Sequence, residues 1–170
     1  MPEPKVDPRF YPFRDAVRSD LQVAAAMLAD DPRIIHLRNG IGETTLHFLA
    51  VENCLPEVAW LIEHGAEVDT QNHFRQTPLM EAASLGLLDM CKLLISGGAN
   101  FRYVSSQGES VFSAAATADR VEVTQYLLKL LPPEEDINAF FDNVDAAMTM
   151  EHGRNCAFLL MRRGLTKRGA

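Results

Sequence analysis

Apolar residues recur along this chain with a spacing of 33 residues. When the sequence is shifted against itself by 33 positions, one unbroken column consists of Leu28, Leu61, Leu94, Leu127 and Leu160. A column beside it contains Met27, Trp60, Leu93, Tyr126 and Leu159, and another contains Ala16, Leu49, Ala82, Ala115 and Met148. Because chance rarely aligns several such columns, the pattern predicts about five copies of one structural unit with no net insertion between them.

The stretch from residue 75 to residue 104 shows what one unit contains. Thr77-Pro78 precedes a short apolar segment, Gly86 separates it from a second apolar segment at 87–95, and Gly97-Gly98 follows. Thr and Pro are favoured where helices begin, and Gly can adopt the left-handed conformation that ends them. The pattern predicts two short helices per unit. One helix pair cannot bury both of its faces, so neighbouring units must share a continuous core.

These motifs resemble the ankyrin repeat. Residues 44–47 (Thr-Thr-Leu-His) and 77–80 (Thr-Pro-Leu-Met) are similar to the Thr-Pro-Leu-His motif of that family, and the resemblance covers residues 10 to 165. It implies an all-α solenoid of stacked helix-turn-helix pairs with β-hairpin loops. The repeats are expected at about 10–38, 39–71, 72–104, 105–137 and 138–165, within a single domain at 12–165.

The two ends of the array depart from the repeat. Four prolines within the first 12 residues favour an extended arm at 1–11, before helices at about 12–19 and 21–30. After Pro132-Pro133, the apolar Ile137, Phe140 and Phe141 predict a short helical turn in place of a regular hairpin. Residues 166–170 are interpreted as a basic C-terminal tail. Atypical end repeats are expected, because each faces solvent on one side.

Composition narrows the classes of partner and compartment. The chain has 170 residues, 47% of them hydrophobic, and a formal net charge of -7, so one domain with a sizeable core and no nucleic-acid partner is expected. The three dispersed cysteines, Cys54, Cys91 and Cys156, fit neither a zinc site nor a disulfide framework. With no apolar signal region and no apolar run of about 18 residues, we expect a cytoplasmic protein without membrane contact.

Motifs that would indicate catalysis are weak. None of the five histidines forms a metal-ligand pair, and the resemblance implies that the ring of His47 hydrogen-bonds the neighbouring loop. Residues 40–42 (Gly-Ile-Gly) follow no clear strand and lack a third spaced glycine, so they predict a tight hairpin turn and not a dinucleotide site. Cys91 and Cys156 fall in core columns, where thiols are usually inert. We expect no catalytic, metal-binding or cofactor-binding residue; an unrecognised enzyme is a remote alternative.

The resemblance implies that a partner binds the concave surface formed by the hairpin tips and the exposed side of each first helix. Two features of the residues carried onto that surface by the 33-residue offset point to binding. Several are acidic, and three are apolar where hairpin tips and helix faces are normally polar. For Phe74, packing onto the next hairpin is the alternative. The candidate partner-binding residues are Ile41, Glu43, Glu52, His73, Phe74, Gln76, Glu81, Leu85, Gln107 and Glu109.

The sequence therefore predicts a non-catalytic binding module, monomeric by itself, that engages a basic or mixed-charge protein through an acidic concave face. A small acidic binder without an activity of its own acts by occupying its partner. This favours an inhibitor or immunity-type protein, and an adaptor or effector scaffold that binds a regulatory protein is the alternative.

Overall fold

The computed structural model describes residues 6–141 and 154–165. These residues form nine α-helices and two short 3-10 helices, Pro32–His36 and Ile137–Phe140. The α-helices are α1 (Phe10–Ser19), α2 (Leu21–Asp30), α3 (Thr45–Val51), α4 (Leu55–Glu63), α5 (Pro78–Leu85), α6 (Leu88–Ser96), α7 (Val111–Thr117), α8 (Val121–Leu130) and α9 (Arg154–Arg163). Within the same ranges there is no β-strand, only two isolated antiparallel bridges, Arg38–Thr44 and Val104–Ser110.

The helices repeat with the period of the leucine column. The helices α3, α5 and α7 begin at residues 45, 78 and 111, which are 33 residues apart, and α4, α6, α8 and α9 begin at 55, 88, 121 and 154. The first helices α1, α3, α5 and α7 pack side by side, and α4, α6, α8 and α9 form a second layer. The predicted all-α repeat solenoid is confirmed. The expected first helix of the fifth repeat lies outside the described residues.

Each regular first helix begins at a hydroxyl side chain that caps it. Thr44, Thr77 and Ser110 accept a hydrogen bond from the main-chain N–H three residues later, which otherwise has no partner in the helix. Such a cap stabilises a helix by about 1 kcal/mol. Short helices of seven or eight residues are marginal alone, so these caps and the packing between repeats are what hold them.

The second helices of repeats two to five end at a shared position, with one exception. Gly65, Gly98 and Gly164 adopt positive φ angles of 88°, 97° and 109°, which stop the helix. At the equivalent position of the fourth repeat, Leu131 is extended, with φ -86° and ψ 135°. Pro132 follows it, and a proline disfavours the helical conformation in the residue before it. The chain therefore leaves α8 in a different direction and forms the 3-10 helix that the apolar residues after the proline pair predicted.

Four of the five leucines in the predicted column form the centre of the core, and Leu28 is only partly buried. Leu61, Leu94, Leu127 and Leu160 are all 0% exposed. Ala82 and Ala115, in the first-helix column, are also fully buried, where α5 packs between α3 and α7. Small side chains there allow the first helices to approach one another, whereas leucine fills the wider space between the second helices.

The first helix starts earlier than the sequence indicated. It begins at Phe10, two residues before the predicted position, so the predicted extended arm does not reach residue 11. Pro12 is compatible with this start because a proline in the first turn removes no N–H that the helix needs. The gain is apolar burial, since Phe10 and Phe13 are both 0% exposed. Residues 1–5 of the predicted arm and residues 166–170 of the predicted tail lie outside the described part.

Asp119 links the fourth and fifth repeats. It lies in the turn between α7 and α8, and its carboxylate accepts hydrogen bonds from Cys156 N at 2.9 Å and Asn155 Nδ2 at 2.8 Å. Both donors belong to the first turn of α9, so a side chain of one repeat caps a helix of the next.

Candidate functional site

Three hairpins of the same geometry project from the ends of the repeats. We name them hairpin 1 (residues 39–43), hairpin 2 (residues 72–76) and hairpin 3 (residues 105–109). In each, the main-chain N–H of the first residue donates to the carbonyl of the fifth, at 2.9, 3.1 and 2.7 Å respectively. The expectation that residues 40–42 form a tight turn is confirmed.

The first side chain of each hairpin organises the loop. Oδ1 of Asn39, Oδ1 of Asn72 and Oγ of Ser105 each accept two main-chain N–H groups, from the residues two and four positions later. Short polar side chains that bond their own loop in this way favour tight turns over helix or strand. These three residues therefore fix the direction of the residues at the hairpin tips.

The fourth position of each hairpin has a left-handed backbone. Gly42 and Gly108 have φ angles of 84° and 79°, and Arg75 in hairpin 2 has a φ of 62°. A residue other than Gly, Asn or Asp adopts this conformation at a cost in conformational free energy. The guanidinium of Arg75 donates a hydrogen bond to Ser106 Oγ at the tip of hairpin 3, which links the two hairpins.

A groove of about 410 Å³ lies between hairpins 2 and 3. It is lined by His73, Phe74, Arg75, Gln76, Gln107 and Glu109. Five of these six are among the residues predicted from the sequence, and Arg75 is the addition. The side chain of Phe74 is 61% exposed, so it does not pack down onto the next hairpin.

The other two apolar candidates are exposed but lie outside this groove. Ile41, at the tip of hairpin 1, is 44% exposed, and Leu85, in the last turn of α5, is 45% exposed. The carbonyl of Ile41 accepts the main-chain N–H of His73 at 2.9 Å, which joins hairpin 1 to hairpin 2.

The acidic candidates are less free than their number suggested. Glu52 forms an ion pair with Arg18 at 2.6 Å, and Glu43 accepts a hydrogen bond from Asn39 Nδ2 at 2.8 Å. Glu109 is exposed and lines the groove. The face therefore carries mixed charge, with Arg18 and Arg75 set among the carboxylates. Asp142 and Glu151, which the offset adds to the acidic positions, lie outside the described residues.

Glu81 differs from the other carboxylates because it is partly buried. Its Oε1 accepts a hydrogen bond from Asn72 Nδ2 at 2.8 Å, and its Oε2 is buried without a hydrogen-bond partner. Burial, together with the negative charge of Glu43, raises the pKa of Glu81 to about 7. The Glu81 carboxyl group therefore keeps its proton to a higher pH than an exposed glutamate does.

One cluster near the N-terminus was not found from the sequence. The guanidinium of Arg14 lies over the rings of both Tyr11, at 5.0 Å, and Phe48, at 4.6 Å. Tyr11 is 46% exposed. The spacing of Tyr11 and Arg14, three residues apart on one helix face, is a signal that could have indicated the contact.

Comparison with sequence models of known families shows to which family this chain is related. The sequence model described as ankyrin repeats, in three copies, matches residues 15–104 and again residues 46–141. The chain belongs to the ankyrin-repeat family.

Several proteins that contain similar segments are much longer than this ankyrin-repeat chain. It is 30% identical over 118 residues to a probable E3 ubiquitin-protein ligase of Oryza sativa subsp. japonica, covering 68% of this chain and 26% of that protein. It is 32% identical over 94 residues to ankyrin repeat and SAM domain-containing protein 6 of Mus musculus, covering 55% of this chain and 11% of that protein. It is 31% identical over 83 residues to serine/threonine-protein kinase VIK of Arabidopsis thaliana, covering 49% of this chain and 19% of that protein. The chain thus spans about a quarter or less of each relative.

The histidine of the ankyrin motif behaves as the resemblance implied. His47 is fully buried; its Nδ1 lies 3.2 Å from Thr44 Oγ1 and 3.1 Å from Thr70 Oγ1, and its Nε2 lies 3.2 Å from the carbonyl of Gln76 in hairpin 2. Burial lowers the pKa of His47 to about 4, so the ring is neutral at physiological pH. Its role is to support the loop.

The two cysteines in the core columns are not activated for chemistry. Burial raises the pKa of Cys91 to about 12 and that of Cys156 to about 11, so both thiols stay protonated and unreactive. Within residues 6–141 and 154–165, His, Cys, Asp and Glu side chains form no group of three that could hold a metal ion. In the same part of the chain, no helix is long and apolar enough to cross a membrane.

Proposed function

We propose that this protein binds a protein partner of basic or mixed charge through its hairpin tips and the exposed side of its first helices. Ankyrin repeats are a non-catalytic interaction fold, so binding is the general function. The observation that supports this particular surface is Phe74, a 61% exposed aromatic ring beside a groove of about 410 Å³. Large aromatic side chains dominate the binding free energy of many interfaces.

The charges around the groove favour a partner that presents both signs. The lining of the groove includes both the carboxylate of Glu109 and the guanidinium of Arg75. The net charge of -7 would attract a basic protein over distances of about 10 Å, the screening length at moderate salt. Long-range attraction would speed association, and burial of Phe74 would slow dissociation.

Two modes of action fit such a surface. A stand-alone binder acts as an inhibitor or immunity-type protein when it covers the working surface of an enzyme or toxin. An adaptor holds a regulatory protein without blocking it. The adaptor mode is supported by the relatives, in which a similar segment is a minor part of a longer ligase or kinase. The inhibitor mode is supported by the exposed Phe74 and the net acidic charge of this chain.

The partner surface can be tested with matched aromatic variants. Proteins captured from the source organism by the wild type would be purified singly, and their dissociation constants measured for wild type, Phe74→Ala and Phe158→Ala. Phe158 is 62% exposed on α9, far along the chain from the hairpins, and is the matched control. We expect Phe74→Ala to weaken binding at least about 30-fold, as is usual for a central aromatic residue, and Phe158→Ala to leave it unchanged.

A second pair of variants tests the electrostatic part. Glu43→Lys with Glu109→Lys should slow association with a basic partner, and the difference should shrink as salt concentration rises. If a partner binds the Phe74→Ala and charge-reversed variants as tightly as wild type, the assignment of this surface is wrong. The activity of the purified partner, with and without bound ankyrin protein, separates inhibitor from adaptor.

A further inference from the structure

Hairpin 2 is built differently from the other two described hairpins. It carries the exposed Phe74, and its left-handed position is occupied by Arg75, where hairpins 1 and 3 have glycine. A residue with a Cβ atom in this conformation opposes the loop geometry. Hairpin 2 therefore needs an additional contact to keep the conformation that its neighbours reach with glycine.

Besides the hydrogen bond from Arg75 to Ser106, hairpin 2 has a contact with the helix that follows. Oε1 of Glu81, on α5, accepts the amide of Asn72 at 2.8 Å, and Asn72 Oδ1 in turn accepts the N–H groups of Phe74 at 2.9 Å and Gln76 at 3.1 Å. The carboxyl group thus connects to the tip of hairpin 2 through a single side chain. We name this chain of hydrogen bonds the Glu81–Asn72 tie.

The equivalent side chains of the other hairpins bond elsewhere. In hairpin 1, the amide of Asn39 donates to Glu43 Oε2 inside the same loop, at 2.8 Å. In hairpin 3, Ser105 has no side-chain amide to donate. At the 33-residue positions equivalent to Glu81, α3 has Phe48 and α7 has Ala114, neither of which can accept a hydrogen bond from a side chain.

The surroundings of Glu81 do not favour a carboxyl group. Its Oε2 is buried without a partner, and burying a polar atom without a hydrogen bond is unfavourable. Alanine and phenylalanine are accommodated at the same position of neighbouring repeats, so the fold does not require a carboxyl group there. The carboxyl group is instead joined, through Asn72, to the hairpin that carries Phe74, which is more exposed than Ile41 at the tip of hairpin 1.

We propose that Glu81 is a positioning residue, which through Asn72 holds Phe74 and Arg75 of hairpin 2 in the conformation that the partner meets. A loop that is already held in its bound conformation loses less conformational entropy when the partner binds. The biological meaning of this tie rests on the proposed function, but the tie itself can be measured on the isolated protein without any partner.

The test is amide hydrogen exchange, followed by NMR, for wild type, Glu81→Ala and Glu81→Gln. In Glu81→Ala, we expect the amides of Phe74 and Gln76 to exchange about tenfold faster, since the acceptor that holds Asn72 is lost. The amides of Ile41 and Glu43, which have the same roles in hairpin 1, should be unchanged. Glu81→Gln keeps the acceptor oxygen and should restore the slow exchange.

Controls separate this effect from a general loss of stability. Glu63→Ala removes the same formal charge from the exposed end of α4, and the amide of Leu94 reports opening of the whole array. Unchanged exchange at Phe74 and Gln76 in Glu81→Ala, or equal acceleration in hairpins 1 and 2, would overturn the proposal. If the tie is present but Phe74→Ala does not weaken binding, the proposed function is wrong while the hydrogen-bond chain stands.

Discussion

A Glu81→Gln substitution should stabilise the fold at pH 8 and leave its stability nearly unchanged at pH 5. Glutamine has the shape of a protonated glutamate and keeps an acceptor for Asn72 Nδ2, but it cannot ionise. Below pH 5 the wild-type side chain is protonated in the folded protein, so the two proteins are closely matched. Above pH 7 the wild type must keep a partly buried charge near Glu43.

The magnitude follows from linkage between protonation and folding. The pKa of Glu81 rises from its usual 4.5 to about 7 in the folded protein. The folded state therefore binds more protons than the unfolded state between these values, and the stability that this provides is lost as pH rises through 7. At 1.36 kcal/mol per unit the full shift corresponds to roughly 3 kcal/mol. Because Glu81 is partly exposed, solvent screening reduces this to about 1 kcal/mol.

The pH dependence of the wild-type stability contains a contribution from His47 as well as from Glu81, so Glu81 has to be isolated by comparison with Glu81→Gln. The folded pKa of His47, about 4, lies below the usual 6.5, so its contribution to stability is lost as pH falls from 6.5 to 4. This dependence has the opposite sign to that of Glu81 over much of the same range, and the wild-type profile alone is a sum of both. The difference between wild type and Glu81→Gln removes the His47 contribution.

Urea unfolding at pH 5, 6, 7 and 8 would measure this difference. We expect Glu81→Gln to gain about 1 kcal/mol over wild type between pH 5 and pH 8, equivalent to a rise in Tm of about 2–4 °C for a chain of this size. Glu63→Gln, at the exposed end of α4, measures the effect of removing one surface charge. A difference that is constant with pH, or that grows toward low pH, would refute the assignment of a raised pKa to Glu81.

Two further substitutions test the architecture. Leu94→Ala removes a side chain that is 0% exposed in the leucine column, and we expect urea unfolding to show a loss of stability of about 3 kcal/mol. Leu85→Ala trims a side chain that is 45% exposed and should change the stability by less than about 1 kcal/mol. Equal effects of the two substitutions would contradict the shared core. Gly42→Ala would place a Cβ atom 2.6 Å from the ring of His73 at a residue with positive φ, so we expect the free energy of unfolding to fall by about 2 kcal/mol. Gly65→Ala, where φ is also positive but no atom lies within 4 Å, should lower it by about 1 kcal/mol. A smaller loss at Gly42 than at Gly65 would show that hairpins 1 and 2 are not closely packed.

The repeating part of the fold could be predicted from the sequence because every unit obeys the same local rules. The leucine column, the hydroxyl caps and the glycine stops each recur at 33 residues, and each acts within one repeat or between adjacent repeats. The exception at Leu131 is also readable, since the proline after it restricts its backbone. The early start of α1 was missed because prolines near an N-terminus are compatible with both an arm and a first helical turn.

The candidate site was less predictable because it depends on contacts between unlike side chains. The offset brought Phe74, Gln107 and Glu109 to one groove, but it could not show that Arg18 pairs with Glu52 or that Asn72 turns toward Glu81. One signal was available and unused. The hairpin column of Gly42, Arg75 and Gly108 shows in the sequence that one loop must adopt its conformation without glycine.

The cap that Asp119 provides makes the start of α9 depend on the fourth repeat. The main-chain N–H of Cys156 and the side-chain amide of Asn155, both in the first turn of α9, have their acceptor in the fourth repeat. A helix that depends on its predecessor for its start gains order only after that predecessor has formed. In a solenoid, where each repeat touches only its neighbours, α9 is then expected to fray when the fourth repeat loosens.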